Sequence, residues 1–106
     1  MFARNVSFHL KPNSVTEFTR TIENEIIPLL RKQKGFQDEI TFVGQGGREA
    51  FAISLWDTAE NAEVYNRGTY PEVTKFLATV VEGAPQVETY DVANSTFHKI
   101  AAAVAA

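Results

Sequence analysis

The sequence predicts an α+β domain of the ferredoxin-like type, with a four-stranded antiparallel sheet covered by helices on one face. The pattern of apolar residues alternates between a period of two and helical spacing, in the order strand, helix, strand, strand, helices, strand. This order is the βαββαβ arrangement. The chain has 106 residues, of which 44% are hydrophobic and 22% charged, so we expect one domain with its own core.

The composition also limits the possible functions. The chain has no cysteine, which excludes disulfides and thiolate chemistry. The net charge is −3 and the ten Lys and Arg residues are scattered, which argues against a nucleic-acid partner. The two histidines are far apart in sequence, so we predict no metal site. We expect a cytoplasmic protein with no membrane partner, because "MFARNVSFHL" lacks a signal pattern and no apolar run approaches ~18 residues.

The first βα unit is predicted from "FARNVSFHL" and the segment after it. The core face of this strand should carry the apolar residues Phe2, Val6, Phe8 and Leu10, and Arg4 interrupts this apolar face. The opposite face carries Ala3, Asn5, Ser7 and His9. A helix follows, capped by Asn13 or Ser14, and Pro28 should kink it near Asn24, because proline removes a backbone hydrogen bond. Gly35 can close this helix in a left-handed conformation.

Two further strands follow and are joined by the turn "QGGR". In "FQDEITFVG" we expect Phe36, Ile40 and Phe42 on the core face, and Glu39, Thr41 and Val43 on the other. In "EAFAISLW" the expected core residues are Phe51, Ile53 and Leu55. The remaining face of this third strand then carries Ala50, Ala52, Ser54 and Trp56.

The C-terminal part of the domain should contain two helices and a long strand. The helices are predicted over "DTAENAEVYNRG" and "PEVTKFLATVV", with "EGAP" ending the second. The strand is predicted over "QVETYDVANSTFHKI", whose end, "NSTFHKI", is long enough to reach another protomer. We therefore expect a domain over residues 1–100 and a flexible tail over 101–106.

One face of this sheet would lack helices. We expect it to be covered by a second copy, in a homodimer that packs sheet face against sheet face. The small side chains on the expected inner face, Ser7, Ala50, Ala52 and Ser54, could leave a cavity lined by polar groups.

Three parts of the chain resemble the antibiotic biosynthesis monooxygenase superfamily of dimeric α+β barrels: Asn5, "IIPLLRKQKGF" and "SLWDTAENAEVY". The resemblance covers nearly the whole chain. It implies a barrel-shaped dimer and oxidation of a small aromatic or quinol-type substrate without a cofactor, using an asparagine, a tryptophan and a nearby tyrosine or arginine. Members that degrade haem use a histidine ligand at a place close to Lys75 here, so we expect no haem.

We predict Asn5, Trp56 and His9 as catalytic residues, and Ser7, Ser54, Tyr65 and Tyr70 as substrate-binding residues. Asn5 and Trp56 could donate hydrogen bonds to a substrate anion, and His9 could accept a proton. Each residue also has a structural alternative in strand, interface or helix packing. For Trp56 we predict mainly a pocket wall, because its neighbours on the strand are small.

Two functions remain open from the sequence. The first is a cofactor-independent monooxygenase that holds its substrate in a dry cavity. The second is a non-catalytic dimer that binds a small apolar ligand, which would need only the apolar wall.

Overall fold

Four antiparallel strands form one sheet, and the helices cover one of its faces. A computed structural model describes residues 1–100, with the elements β1 (Phe2–Leu10), α1 (Val15–Thr21), a π-helical segment (Ile22–Ile26), α2 (Ile27–Arg31), β2 (Phe36–Val43), β3 (Glu49–Trp56), α3 (Ala59–Gly68), α4 (Tyr70–Leu77) and β4 (Val81–Asp91). The strand order is β2-β3-β1-β4, which confirms the ferredoxin-like α+β fold. The tail predicted over 101–106 lies outside the described residues.

The central pair, β1 and β3, decides which side chains face the helices. Phe2 pairs with Trp56 and Arg4 pairs with Ser54, so the even-numbered residues of both strands share a face. Phe8 on β1 is 3% exposed beneath the helices, which identifies the shared face as the covered one. The face predicted for β1 is therefore confirmed, and the face predicted for β3 is wrong. The small residues of β3 lie against the helices, where they let the helices approach the sheet.

A bulge in β2 reverses the side-chain pattern of that strand. Phe36 pairs with Trp56, but Asp38 pairs with the next residue back, Leu55. One extra residue in a strand moves all following side chains to the opposite face. Phe36 therefore points to the helices, as predicted. Ile40 and Phe42 were also predicted there, but they lie on the uncovered face and are 40% and 43% exposed.

The helix that precedes β2 is irregular where the sequence predicts it. The π-helical segment Ile22–Ile26 interrupts it, and Pro28 occupies the first turn of α2. Proline cannot donate to a carbonyl one turn earlier, so the hydrogen-bonding pattern must change in the preceding turn. Gly35 ends the unit with a φ of 84°, in the left-handed region expected for it. An added Cβ at Gly35 would also collide with Asp57.

The end of the chain differs from the prediction. β4 begins at Val81 and includes "EGAP", which was expected to be a turn, and it ends at Asp91. Val92, Asn94, Ser95 and Phe97 instead line a cavity over the uncovered face, and His98 contacts the Asp38 carboxylate. That "NSTFHKI" reaches a second protomer stays a prediction. Within residues 1–100, no helix combines the length and apolar character needed to cross a bilayer.

Candidate functional site

A row of polar residues crosses the helix-covered face of the sheet. Glu39 on β2 pairs with Ser54 on β3, Ser54 pairs with Arg4 on β1, and Arg4 pairs with Thr89 on β4. The next residues on this face of β1, β3 and β4 are apolar, since Val6 pairs with Ala52 on one side and with Val87 on the other. The row therefore places two opposite charges, Glu39 and Arg4, inside a largely apolar layer. Their backbones are two strand spacings apart, about 10 Å.

Arg4 is the most unusual member of the row, since it is a charged residue only 3% exposed. Its Nη2 donates a hydrogen bond to Asn66 Oδ1 at 2.9 Å. The guanidinium carbon lies 5.1 Å from the ring centre of Tyr65 and 4.6 Å from that of Tyr70. No carboxylate within residues 1–100 forms an ion pair with Arg4. The site thus holds a positive charge that an anion could neutralise.

Burial lowers the pKa of Arg4, although an arginine remains protonated throughout the physiological range. Burial raises the pKa of Tyr65 to about 12, against the opposing effect of the Arg4 charge. Burial also raises the pKa of Tyr70. Both phenols are therefore neutral at pH 7 and can donate hydrogen bonds. The cation and the two phenols together favour negative charge in a bound molecule.

Trp56 is fully buried, at 0% exposure, and forms part of the core. Its Nε1 donates to Ser54 Oγ at 2.9 Å, its ring packs against Tyr65 with 5.0 Å between centres, and Phe36 contacts it edge-on at 5.6 Å. It does not line the cavity beside Ser54 and Tyr65. The prediction that Trp56 is mainly a pocket wall is therefore wrong. Its hydrogen bond to Ser54 and its ring contact with Tyr65 hold these two cavity residues in position.

Glu39, at the other end of the row, is half-buried and accepts a hydrogen bond from the Thr41 hydroxyl. Burial is the main cause that raises its pKa, because removing water disfavours the charged carboxylate. Thr41 opposes this shift by donating to the carboxylate, and the charge of Glu23 adds to it. Glu39 therefore gives the site a carboxylate that binds a proton more readily than an exposed glutamate does.

Three cavities lie along this row, and Glu39 also lines a fourth, of about 210 Å³, with Arg31 of α2. An inner cavity of about 30 Å³ lies between the sheet, the π-helical segment and α4, and its lining includes Arg4, Glu39, Ser54, Tyr65 and Tyr70. Arg4 also lines a groove of about 320 Å³ beside α3, with Asn66 and Thr89. Glu39 also lines a groove of about 230 Å³ beside the π-helical segment. The two charged residues therefore separate the inner cavity from its two neighbours.

The inner cavity is smaller than an aromatic ligand, since benzene occupies a cavity on the order of 150 Å³ and one water needs roughly 10–15 Å³. A ring must therefore displace side chains, and Ile22 and Ile26 of the π-helical segment are part of the wall. Segments of this helix type often occur at functional sites.

Asn5, Ser7 and His9 lie on the opposite, uncovered face of the sheet. Asn5 pairs with Ile53 and not with the strand position of Trp56, and its Oδ1 is buried without a hydrogen-bond partner among residues 1–100. His9 Nδ1 lies 2.8 Å from Glu49 Oε1 in an exposed contact. In the single chain, Asn5 therefore does not share the helix-covered face with Trp56 and Tyr65. Ser54, Tyr65 and Tyr70 do lie together.

The sequence analysis missed Arg4 and Glu39 as site residues. Arg4 interrupts an otherwise apolar strand face, and a charged residue at a core-facing position is the signal that could have identified it. Glu39 was assigned to the wrong environment because the bulge in β2 leaves no clear sign in the sequence. No group of three or more potential metal ligands occurs within residues 1–100.

The fold places the chain in a known structural class. No family model and no curated protein matches the sequence. Solved structures do match, and many of them are named antibiotic biosynthesis monooxygenases, so the chain has the fold of that group. The identities, 9–16%, are low enough that the likeness concerns the fold alone.

Three of these structures illustrate the likeness. A monooxygenase from the gene ActVA-Orf6 of Streptomyces coelicolor, in complex with nanaomycin D, matches with a TM-score of 0.76, 14% identity and 92% coverage of both chains. SnoaB, a cofactor-independent oxygenase from Streptomyces nogalater, matches at 0.74 with 9% identity, over 90% of this chain and 95% of its own. A protein provisionally named an antibiotic biosynthesis monooxygenase, from Bordetella bronchiseptica, matches at 0.75 with 16% identity, over 88% and 97%.

Proposed function

We propose that the protein is a cofactor-independent monooxygenase that oxidises a small aromatic or quinol-type substrate in the inner cavity. The observation that carries this proposal is Arg4, a buried cation that has no carboxylate partner within residues 1–100 and lies against two tyrosine rings. An oxygenase without a metal or flavin needs a substrate whose own anion reduces dioxygen. Arg4 and the neutral phenols of Tyr65 and Tyr70 would stabilise such an anion.

The overall reaction balances without a further reductant. A phenol with a free para carbon loses its hydroxyl proton, and the electron pair is shared between the oxygen and the ring. The ring carbon transfers electrons to dioxygen and forms a carbon–oxygen bond, which gives a peroxide. Loss of the ring hydrogen with the outer oxygen, as water, leaves a quinone. Four electrons leave the substrate, and one oxygen atom enters the product while the other becomes water.

We also propose that the working protein is a homodimer formed through the uncovered sheet faces. Ile40, Phe42 and Phe51 on this face are each at least 40% exposed, and the Phe42 and Phe51 rings stack at 4.8 Å. Leaving this apolar area in water is unfavourable by roughly 25 cal/mol per Å². A second copy would cover it, and a donor from that copy could satisfy Asn5 Oδ1.

The activity can be tested by incubating the protein with 1-naphthol under ¹⁸O₂ and analysing the products by mass spectrometry. We expect a quinone with one ¹⁸O atom and the disappearance of one O₂ per product. Arg4→Gln should lose at least tenfold in kcat/KM, while Arg67→Gln, on the exposed side of α3, should not change it. No oxygen uptake above buffer by the wild type, with naphthols and quinols alike, would contradict the proposal.

The alternative function, a small-ligand-binding protein without turnover, rests on the same cavity. Trp56 is the only tryptophan and packs against Tyr65, so its fluorescence should report ligand binding. Nanaomycin D, which the Streptomyces coelicolor structure contains, is a suitable probe. Saturable quenching without oxygen uptake from any aromatic tested would favour the alternative.

A further inference from the structure

We propose that Glu39 is the group that accepts the substrate proton, and that the ligand is a conjugated ring with an ionisable hydroxyl at one end and an electron-withdrawing acceptor at the other. This inference rests on the proposed site in the inner cavity. It adds a proton acceptor, a ligand orientation and a preference for ligands with two polar ends.

The first support is the placement of Glu39 and Arg4. Both line the inner cavity, one at each end, and Ser54 lies between them in the same row of the sheet. Their side chains form no ion pair with each other. Their backbones are about 10 Å apart, so a ring held between the two side chains would present one end to each.

The second support is the environment of the Glu39 carboxylate. The Thr41 hydroxyl holds it from its own strand, and Arg4 is the nearest cation along the row. Besides burial, Glu23 on the π-helical segment raises its pKa as a like charge, and Arg31 of α2 lines a groove with Glu39. A carboxylate in this setting is a better proton acceptor than an exposed one, and its proton affinity moves toward that of an acidic phenol.

The proposed step is balanced within the site. The hydroxyl O–H bond breaks, the proton moves to Glu39, and the electron pair remains on the conjugated ring. Charge shifts toward the far end of the ring, where Arg4 stabilises it. After dioxygen has added to the ring, protonated Glu39 returns the proton to the peroxide anion. The carboxylate is then restored for the next turnover.

The test uses 4-nitrophenol, which has a hydroxyl at one end, a nitro group at the other, and no tendency to react with dioxygen. Calorimetric titrations at pH 8, in two buffers of different ionisation enthalpy, give the number of protons exchanged on binding. The ligand is an anion in solution at this pH. The ionised Glu39 carboxylate and the phenolate oxygen of the ligand would repel each other, so the complex needs one proton between them. The wild type should therefore take up about one proton per ligand bound.

Glu39→Gln should bind the same anion with no proton uptake, because an amide can donate the hydrogen bond without titrating. Glu39→Asp should keep the proton uptake at a weaker affinity. Glu72→Gln changes an exposed glutamate on α4 that lines none of these cavities; it is the matched control and should behave like the wild type. Unchanged Trp56 fluorescence without ligand verifies that each variant is folded.

Several results would overturn the inference: no saturable binding to the wild type, binding without proton uptake, or equal uptake by the wild type and Glu39→Gln. None of these measurements requires turnover. A protein that binds 4-nitrophenol with proton uptake but never consumes oxygen would refute the monooxygenase and keep the Glu39 assignment.

Discussion

The two faces of the sheet differ in what the single chain leaves without a partner: a buried charge on one face and an apolar surface on the other. The helix-covered face is largely apolar, yet it contains a buried cation, Arg4, that forms no ion pair with a carboxylate among residues 1–100. The uncovered face carries Ile40, Phe42 and Phe51, which nothing in the single chain covers fully. A charge without a counter-ion suggests a ligand, and an apolar surface without a cover suggests a second copy. We therefore propose ligand binding on the helix-covered face and dimerisation on the uncovered face.

The largest expected effect concerns the core behind the covered face. Trp56→Ala should lower the free energy of unfolding by about 3–5 kcal/mol, because the indole is fully buried and a cavity would remain. Urea unfolding followed by circular dichroism, at a fixed protein concentration, measures this. Val64→Ala is the control, since this side chain on α3 is 58% exposed and should cost less than about 0.5 kcal/mol. A loss below 1 kcal/mol for Trp56→Ala would restore the pocket-wall hypothesis.

The next effect tests assembly on the uncovered face. Phe51→Glu would bury a carboxylate without a partner in the proposed interface, at a cost of about 3 kcal/mol per subunit. Light scattering should give twice the chain mass for the wild type and the single mass for the variant. Phe76→Glu makes the same change on α4, where the ring is 38% exposed. It should leave the mass doubled. A monomeric wild type at micromolar concentration would contradict dimerisation through the uncovered face.

A smaller effect distinguishes a ligand-binding cation from a structural one. Arg4→Met should leave the unfolding free energy unchanged or raise it by on the order of 1 kcal/mol, since an apolar side chain can replace a buried charge at no loss. Binding of an aromatic anion should fall at the same time. If the variant is instead destabilised by 3 kcal/mol or more, Arg4 has a structural role that its bond to Asn66 does not account for.

The smallest effect is the pH dependence of stability that Glu39 causes. Its pKa is raised in the folded state, so the folded protein binds this proton more tightly than the unfolded chain does. The stabilisation is therefore complete below the unfolded pKa of glutamate and is lost as pH rises through the folded pKa. Relative to the wild type, Glu39→Gln should gain stability between pH 4 and pH 7. Melting temperatures of both proteins across this range measure the gain. If the two proteins show the same dependence of melting temperature on pH, the raised pKa of Glu39 is contradicted.

The sequence was sufficient for the order of elements, because alternation and helical spacing are local properties. It also located the disruption before Pro28 and grouped the side chains of β3 correctly. It could not decide which side of β3 faces the helices, because both sets are apolar enough to be buried. The bulge after Phe36 also has no local signal, and it moved Ile40 and Phe42 to the other face.

The site was harder to predict for the same reason. Ser54, Tyr65 and Tyr70 were identified, and they meet in the inner cavity. Asn5 and His9 were grouped with them because the face of β3 was inverted. Arg4 was noted only as an interruption, although its place on a buried face was the clearest sign of a site. A site assembled across four strands depends on register, and single-strand patterns do not fix register.

The central claim is that the unpaired Arg4 makes the helix-covered cavity a site for an aromatic anion. A matched ligand pair, 1-naphthoate and 1-naphthamide, tests it by titration of the Trp56 fluorescence in the wild type and in Arg4→Gln. A hydrogen bond to a charged group contributes about 1.5–3 kcal/mol, so the wild type should bind the carboxylate roughly 10- to 100-fold more tightly than the amide. Arg4→Gln should bind both equally. Equal affinity of the wild type for the two ligands, or a preference that survives in Arg4→Gln, would contradict the account.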